Sequence, residues 1–196
     1  RFDLSCERVA VVGIGNVAMD VTRILARDPE SLAGTDIAGY ALDALRKSKV
    51  REILVFGRRG PLQAAFSPKE IKEIAELAGS DLVVRPEEAE LDPVSREDFA
   101  KGVEVPARQN VEFLLEHAKR GEGSNPKKVR LRLLASPVEL LGEGGKVSAV
   151  RIERNGLARG EDGDVRARGS GQLETFPVGL VFRSVGYFGV PIPGVS

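Results

Sequence analysis

Apolar residues fill positions 9–12, glycines follow at Gly13 and Gly15, and an amphipathic period then begins. The unbroken run predicts a buried strand. Val17, Val21, Ile24 and Leu25, spaced i, i+4, i+7 and i+8, predict a helix over roughly 15–27 with those four on its buried face. Asp28-Pro29 ends it. Ile37, Tyr40, Ala41, Ala44 and Leu45 repeat the spacing and predict a second helix over about 36–47. Residues 53–56, closed by Gly57, read as a second buried parallel strand. Ser67 as N-cap, Pro68 at the first helical position and Glu70 as a capping-box residue open a helix over 67–78, with Ile71, Ile74, Ala75 and Ala78 as its core stripe. Residues 82–84 are a third strand candidate.

From 85 to about 106 the chain is polar and acidic without a convincing period, and Val111, Leu114, Leu115 and Ala118 then mark another helix. At Lys128 the period changes to two. Val129, Leu131 and Leu133 alternate with Arg130 and Arg132, as in a half-exposed strand of an antiparallel meander. A glycine-rich turn at 142–145 leads to a partner strand over 147–153, and a third piece covers 164–168 or 173–176. A last buried parallel strand opens at Leu180. The expected class is α/β: a Rossmann-like parallel sheet with helices on both faces and an inserted antiparallel β-meander.

Charge and composition narrow the chemistry. Lys plus Arg equals Asp plus Glu at 29 each, so no global basic field points to nucleic acid. Cys6 and His117 are the only cysteine and histidine, which excludes an internal disulfide and any metal site built on several of these residues. This usage fits a reducing, cytoplasmic setting, with the mitochondrial matrix as the organellar alternative. No apolar run reaches the ~18 residues of a membrane span. The expectation is one domain over 1–196, taken from a longer protein, because the chain starts at Arg1 and stops just after a Pro-Gly turn.

The glycine turn carries the first chemical signal. A strand, a Gly13-x-Gly15-x-x-Ala18 turn and a helix are the parts that hold a dinucleotide pyrophosphate. Gly13 permits the sharp turn, Gly15 lets the backbone approach phosphate oxygens, and Ala18 keeps the helix close to its strand. The helix N-terminus near Asn16 directs unpaired N–H groups at that charge. NAD-selective folds end their second strand with an acidic residue, whereas here Gly57 is followed by Arg58 and Arg59. Two guanidinium groups suit a 2′-phosphate and would favour NADP(H) over NAD(H) by ~3–5 kcal/mol. The pair lies about forty residues beyond the glycine turn, not the usual twenty or so, and the helix over 36–47 supplies the added length.

Together these segments resemble the NADP-binding domain of adrenodoxin reductase-type ferredoxin–NADP reductases. The matching stretches are GIGNVAMDVTRIL (13–25), FGRRGPLQAAFSPKEIKE (56–73), LASPVEL (134–140) and FRSVGYFGVPIPGV (182–195). The resemblance implies that Gly15, Asn16, Val17 and Ala18 contact the NADP pyrophosphate, that Arg58 and Arg59 bind the 2′-phosphate, and that Glu70 also contacts the cofactor. The residue pattern alone leaves Glu70 open between that role and capping its own helix. It further implies a flavoprotein that passes a hydride from NADPH to FAD and then electrons to a ferredoxin-like acceptor. The FAD-binding segments lie outside this chain, so FAD is not expected to bind it and the chain alone is expected to be inactive. The alternatives are a stand-alone NADP-binding or sensing module and the NADPH domain of a flavoprotein like the glutamate synthase small subunit.

No catalytic residue is assigned. Cys6 reads as an inert small residue, and His117 as a favourable charge at a helix C-terminus. Arg130, Arg132 and Arg151 read as the wet face of the meander.

Overall fold

The structure is a computed structural model and describes residues 3–186. Strands β1 (Arg8–Val12), β2 (Glu52–Phe56), β3 (Ser80–Val84), β4 (Lys127–Arg132) and β8 (Leu180–Arg183) form one parallel sheet in the order β3-β4-β2-β1-β8. Val9 sits in register with Ile53 on one side and Leu180 on the other, and Ile53 with Val129. A second sheet holds β5 (Ala135–Glu143), β6 (Lys146–Arg159) and β7 (Val165–Pro177), antiparallel in that order.

Side chains alternate across a strand, so the parallel sheet presents two faces that pack differently. Val9, Val11, Ile53, Val55, Val129 and Leu131 pack with buried residues of α1 (Asn16–Ala26), α3 (Pro68–Ala75) and α6 (Val105–Ala118). Ala10, Leu54 and Phe56 pack instead against Ala135, Val150 and Ile152 of the antiparallel meander. The expected class, α/β with a parallel sheet, packed helices and an added antiparallel meander, is the one found, but the face expected to carry a second layer of helices is covered by the meander at Ala10, Leu54 and Phe56.

Several details differ from the sequence reading. β4 belongs to the parallel sheet, between β3 and β2, and not to the meander. Its alternation misleads because Arg132 is buried rather than wet: Glu88 and Glu174 pair with it, and it lies under the Phe176 ring. Arg130 is likewise engaged, by Glu52 and Glu122. A buried arginine that is fully paired looks like a solvent position in the sequence. The third antiparallel piece is one long strand, β7, which takes in 173–176 and all but the first residue of 164–168.

α1 is rotated relative to its expected face. Val17 and Ile24 are exposed, and the core side carries Ala18, Met19, Thr22, Leu25 and Ala26. Thr22 can occupy the core because its hydroxyl donates to Ala18 O at 2.7 Å, a bond invisible to a hydropathy pattern. α2 (Gly39–Arg46) starts three residues later than expected from position 36, and α3 ends at Ala75, leaving Ala78 exposed. The polar stretch contains two short helices, α4 (Pro86–Ala89) and α5 (Pro93–Lys101). Each begins at a proline in its first turn, and Asp92 caps the second.

His117 does not face solvent at a helix end. It is buried, stacked on Phe113, with Nε2 2.8 Å from Leu82 O. A carbonyl only accepts, so Nε2–H is the donor and the ring ties α6 to β3. Cys6 is half-buried against Gly179, and burial pushes its thiol pKa up, which keeps it in the unreactive form.

Candidate functional site

The site lies where β1 and β2 deliver their C-terminal ends beside α1. This is the crevice in which open parallel sheets bind ligands. Gly13 adopts φ +125°, and a Cβ there would fall 2.1 Å from Ser184 O. The first glycine is thus required by the neighbouring end of β8, whose Ser184 N–H donates to Val12 O at 2.8 Å. Gly15 has the opposite surroundings. It is the N-cap of α1, and a Cβ built on it would meet nothing within 4 Å. No side chain caps α1, so its first-turn N–H groups open onto that space.

Ala18 is fully buried and lets α1 approach the sheet, as expected. Val17 is 62% exposed, beside the uncapped end of α1. Asn16 does not cap α1. It is the first helical residue, and its Oδ1 accepts the N–H of Ser67, the N-cap of α3, at 2.9 Å. Ser67 in turn accepts the Glu70 N–H at 3.3 Å. A bridge between Gly15 and Ala65 runs alongside. Two helix N-termini therefore converge on one spot, which concentrates positive potential there.

Arg58 and Arg59 follow β2, and both side chains are exposed. Among the described residues neither guanidinium has a hydrogen-bond or ion-pair partner, while Arg23, Arg46, Arg130, Arg132 and Arg154 are all paired. The two motifs touch: a Cβ on Gly57 would lie 2.8 Å from the Ile14 side chain. Free guanidiniums beside an open glycine cradle make an arrangement for a ligand with separated phosphates.

Glu70 points elsewhere. Its carboxylate lies 2.9 Å from Arg23 Nη1, and Arg23 also pairs with Glu73 and Asp20. Only half of the capping box forms, since the Ser67 N–H is taken by Asn16. Sequence reasoning missed Ser67 and Ala65 as site-building residues; the backbone groups that act there carry no side-chain signature. Of the fourth matching stretch, 187–195 lies outside the described residues. Among the described residues no cluster of His, Cys, Asp and Glu is placed to hold a metal.

A parallel sheet with a glycine cradle at β1–α1 and an arginine pair after β2 is the architecture shared by dinucleotide-binding α/β folds. No family model matches the chain. It is 46% identical over 193 residues to the NADPH-ferredoxin reductase FprA of Mycobacterium tuberculosis, covering 98% of this chain and 41% of that protein. It is 38% identical over 200 residues to the mitochondrial NADPH:adrenodoxin oxidoreductase of Homo sapiens, covering 97% of this chain and 40% of that protein. The solved structure of Mycobacterium tuberculosis FprA in complex with NADPH superposes with a TM-score of 0.89 at 45% identity, over 98% of this chain and 41% of that one. The chain is a homologue of the FprA and adrenodoxin reductases, and spans about two-fifths of the length of the relatives it matches.

Proposed function

We propose that this chain binds NADP(H), with the pyrophosphate held at Gly13, Gly15, Asn16, Val17 and Ala18 and the 2′-phosphate at Arg58 and Arg59. The observation that carries this reading is the pair of unpartnered guanidiniums where an NAD-selective fold would place a carboxylate. The open space at Gly15 fits a phosphate, and the uncapped N-terminus of α1 supplies its donors. Glu70 enters as the residue that locks α3 to α1 through Arg23, at the edge of the same crevice.

Residues 1–196 are then one NADP-binding domain of a longer two-nucleotide flavoprotein, a reading supported by the share of FprA that they match. That protein would act as an NADPH-dependent oxidoreductase, passing a hydride to FAD and single electrons to a ferredoxin-like acceptor. Bound NADPH supplies the hydride; this chain's residues grip the nucleotide and set its orientation, and FAD is assigned none of them. A cytoplasmic location fits the lone free Cys6, and no helix among the described residues is long and apolar enough to cross a membrane.

Calorimetric titration of the chain with NADP+ and NAD+ tests the binding reading. The expected result is a preference for NADP+ of roughly 100-fold or more, abolished in Arg58→Ala/Arg59→Ala with NAD+ little changed. Equal affinities in the unsubstituted chain would overturn it. For the whole protein, the test is NADPH-dependent reduction of a ferredoxin, and its absence would sink the assigned activity.

A further inference from the structure

We propose that the antiparallel meander sets nucleotide selectivity from behind the arginine pair, and that Asn155 is its positioning residue. The inference rests on the reading of Arg58 and Arg59 as the 2′-phosphate pair. Three consecutive carbonyls of the arginine loop are each held by the meander or the turn that leads into it. Gly57 O accepts from Ala135 N at 2.9 Å, Arg58 O from Asn155 Nδ2 at 2.8 Å, and Arg59 O from Leu134 N at 3.1 Å.

The clamp is built at some cost. Leu134 has φ +52°, the one positive φ outside glycine among the described residues. In that conformation its N–H reaches Arg59 O while its carbonyl accepts Asn155 N at 2.8 Å. Strain of this kind persists where the surrounding structure over-determines it, and it clusters at functional sites. β6 shifts register between Glu153 and Asn155, and such bulges re-aim a side chain. The Asn155 amide spends both hydrogens, one on Arg58 O and one on Ser136 Oγ at 2.8 Å.

The function of this device follows from what the arginines lack. Neither guanidinium has a side-chain partner to aim it, so the direction of each side chain is set by its backbone. Fixing three successive peptide planes limits where Arg58 and Arg59 can project before a ligand arrives. A loop ordered in advance does not lose that freedom on binding, and the gain accrues only to a ligand that uses the arginines. The meander, otherwise a packing layer, thereby acts on NADP(H) and leaves NAD(H) untouched.

The test is calorimetric titration of the chain with NADP+ and NAD+, in parallel with thermal melting. Four forms are compared: unsubstituted, Asn155→Ala, Arg58→Ala/Arg59→Ala, and the triple variant. Asn155→Ala is expected to weaken NADP+ roughly tenfold and NAD+ less than twofold. In the triple variant Asn155→Ala is expected to add no further loss, because the groups it positions are gone. A packing role alone would lower both affinities together, and that result overturns the proposal, as does an unchanged NADP+/NAD+ ratio. If the unsubstituted chain does not prefer NADP+, the 2′-phosphate reading itself fails and takes the inference with it. Should Asn155→Ala not fold, Ser136→Ala frees the same amide to rotate. It is expected to weaken NADP+ alone by about threefold, and an unchanged ratio there also overturns the proposal.

Discussion

The Oδ1 of Asn16 accepts the backbone N–H of Ser67 at 2.9 Å, so the first residue of α1 and the cap of α3 form one hydrogen-bonded unit. Removing the acceptor in Asn16→Ala should cost about 1 kcal/mol in urea denaturation and loosen the crevice. Asn16→Asp separates the two roles. It keeps the acceptor, so stability should stay near that of the unsubstituted chain, but it places a carboxylate where a pyrophosphate is expected. NADP+ affinity should then fall at least tenfold, and unchanged binding would remove Asn16 from the phosphate site.

The two glycines of the turn should respond oppositely to the same methyl group. Gly13→Ala sets a Cβ 2.1 Å from Ser184 O at φ +125°, so the end of β8 must move. A loss of roughly 2 kcal/mol or more is expected from chemical denaturation. Gly15→Ala meets nothing within 4 Å and has φ −93°, so the fold should tolerate it. Its methyl fills the cradle, and NADP+ binding should drop sharply. Binding retained in a folded Gly15→Ala chain would show that phosphate does not come close there.

Glu88 should be among the costliest single positions in the fold. It is fully buried, and its carboxylate takes hydrogen bonds from Arg132 Nε at 2.9 Å, Arg154 Nη1 at 2.6 Å and Leu133 N at 2.8 Å. Glu88→Ala leaves Arg132 buried with only Glu174 to offset it, and about 3–5 kcal/mol should be lost. Equilibrium unfolding in urea checks this, and a loss below about 1 kcal/mol would contradict it.

Asp81 gives a prediction in pH. Burial raises its pKa, but hydrogen bonds from Lys128 Nζ, Asn125 Nδ2 and Asn125 N outweigh that and hold it below the ordinary carboxylate value. A lowered folded pKa means the stabilisation is full above about pH 4 and is lost as pH falls through the folded value. The stability gap between the unsubstituted chain and Asp81→Asn should therefore be flat near pH 6 and shrink below about pH 4. A gap independent of pH down to pH 2 would contradict it.

The parts of this protein legible in the sequence are those written locally. The glycine turn, the arginine pair and the Ser67-Pro68 helix start each lie within a few residues, so chain chemistry alone declares them. The apolar spacing locates α1 along the chain but gives it the wrong rotation, because Thr22 sits in the core through a bond to Ala18 O. The period of two puts β4 in the wrong sheet because Arg132, paired and buried, imitates a wet position. The contacts that shape the crevice were out of reach for a different reason. Asn16 meets Ser67 across 51 residues and Asn155 meets Arg58 across 97, and in each case one partner is a backbone group.

The most direct test of the central claim is phosphorus NMR of NADP+ saturated with the 196-residue chain, followed across pH. The free 2′-phosphate loses its second proton at about pH 6. Two guanidiniums beside it favour the dianion, so in the complex this step should fall to about pH 5 or lower and return to about 6 in Arg58→Ala/Arg59→Ala. A bound 2′-phosphate that titrates like the free nucleotide would contradict the account.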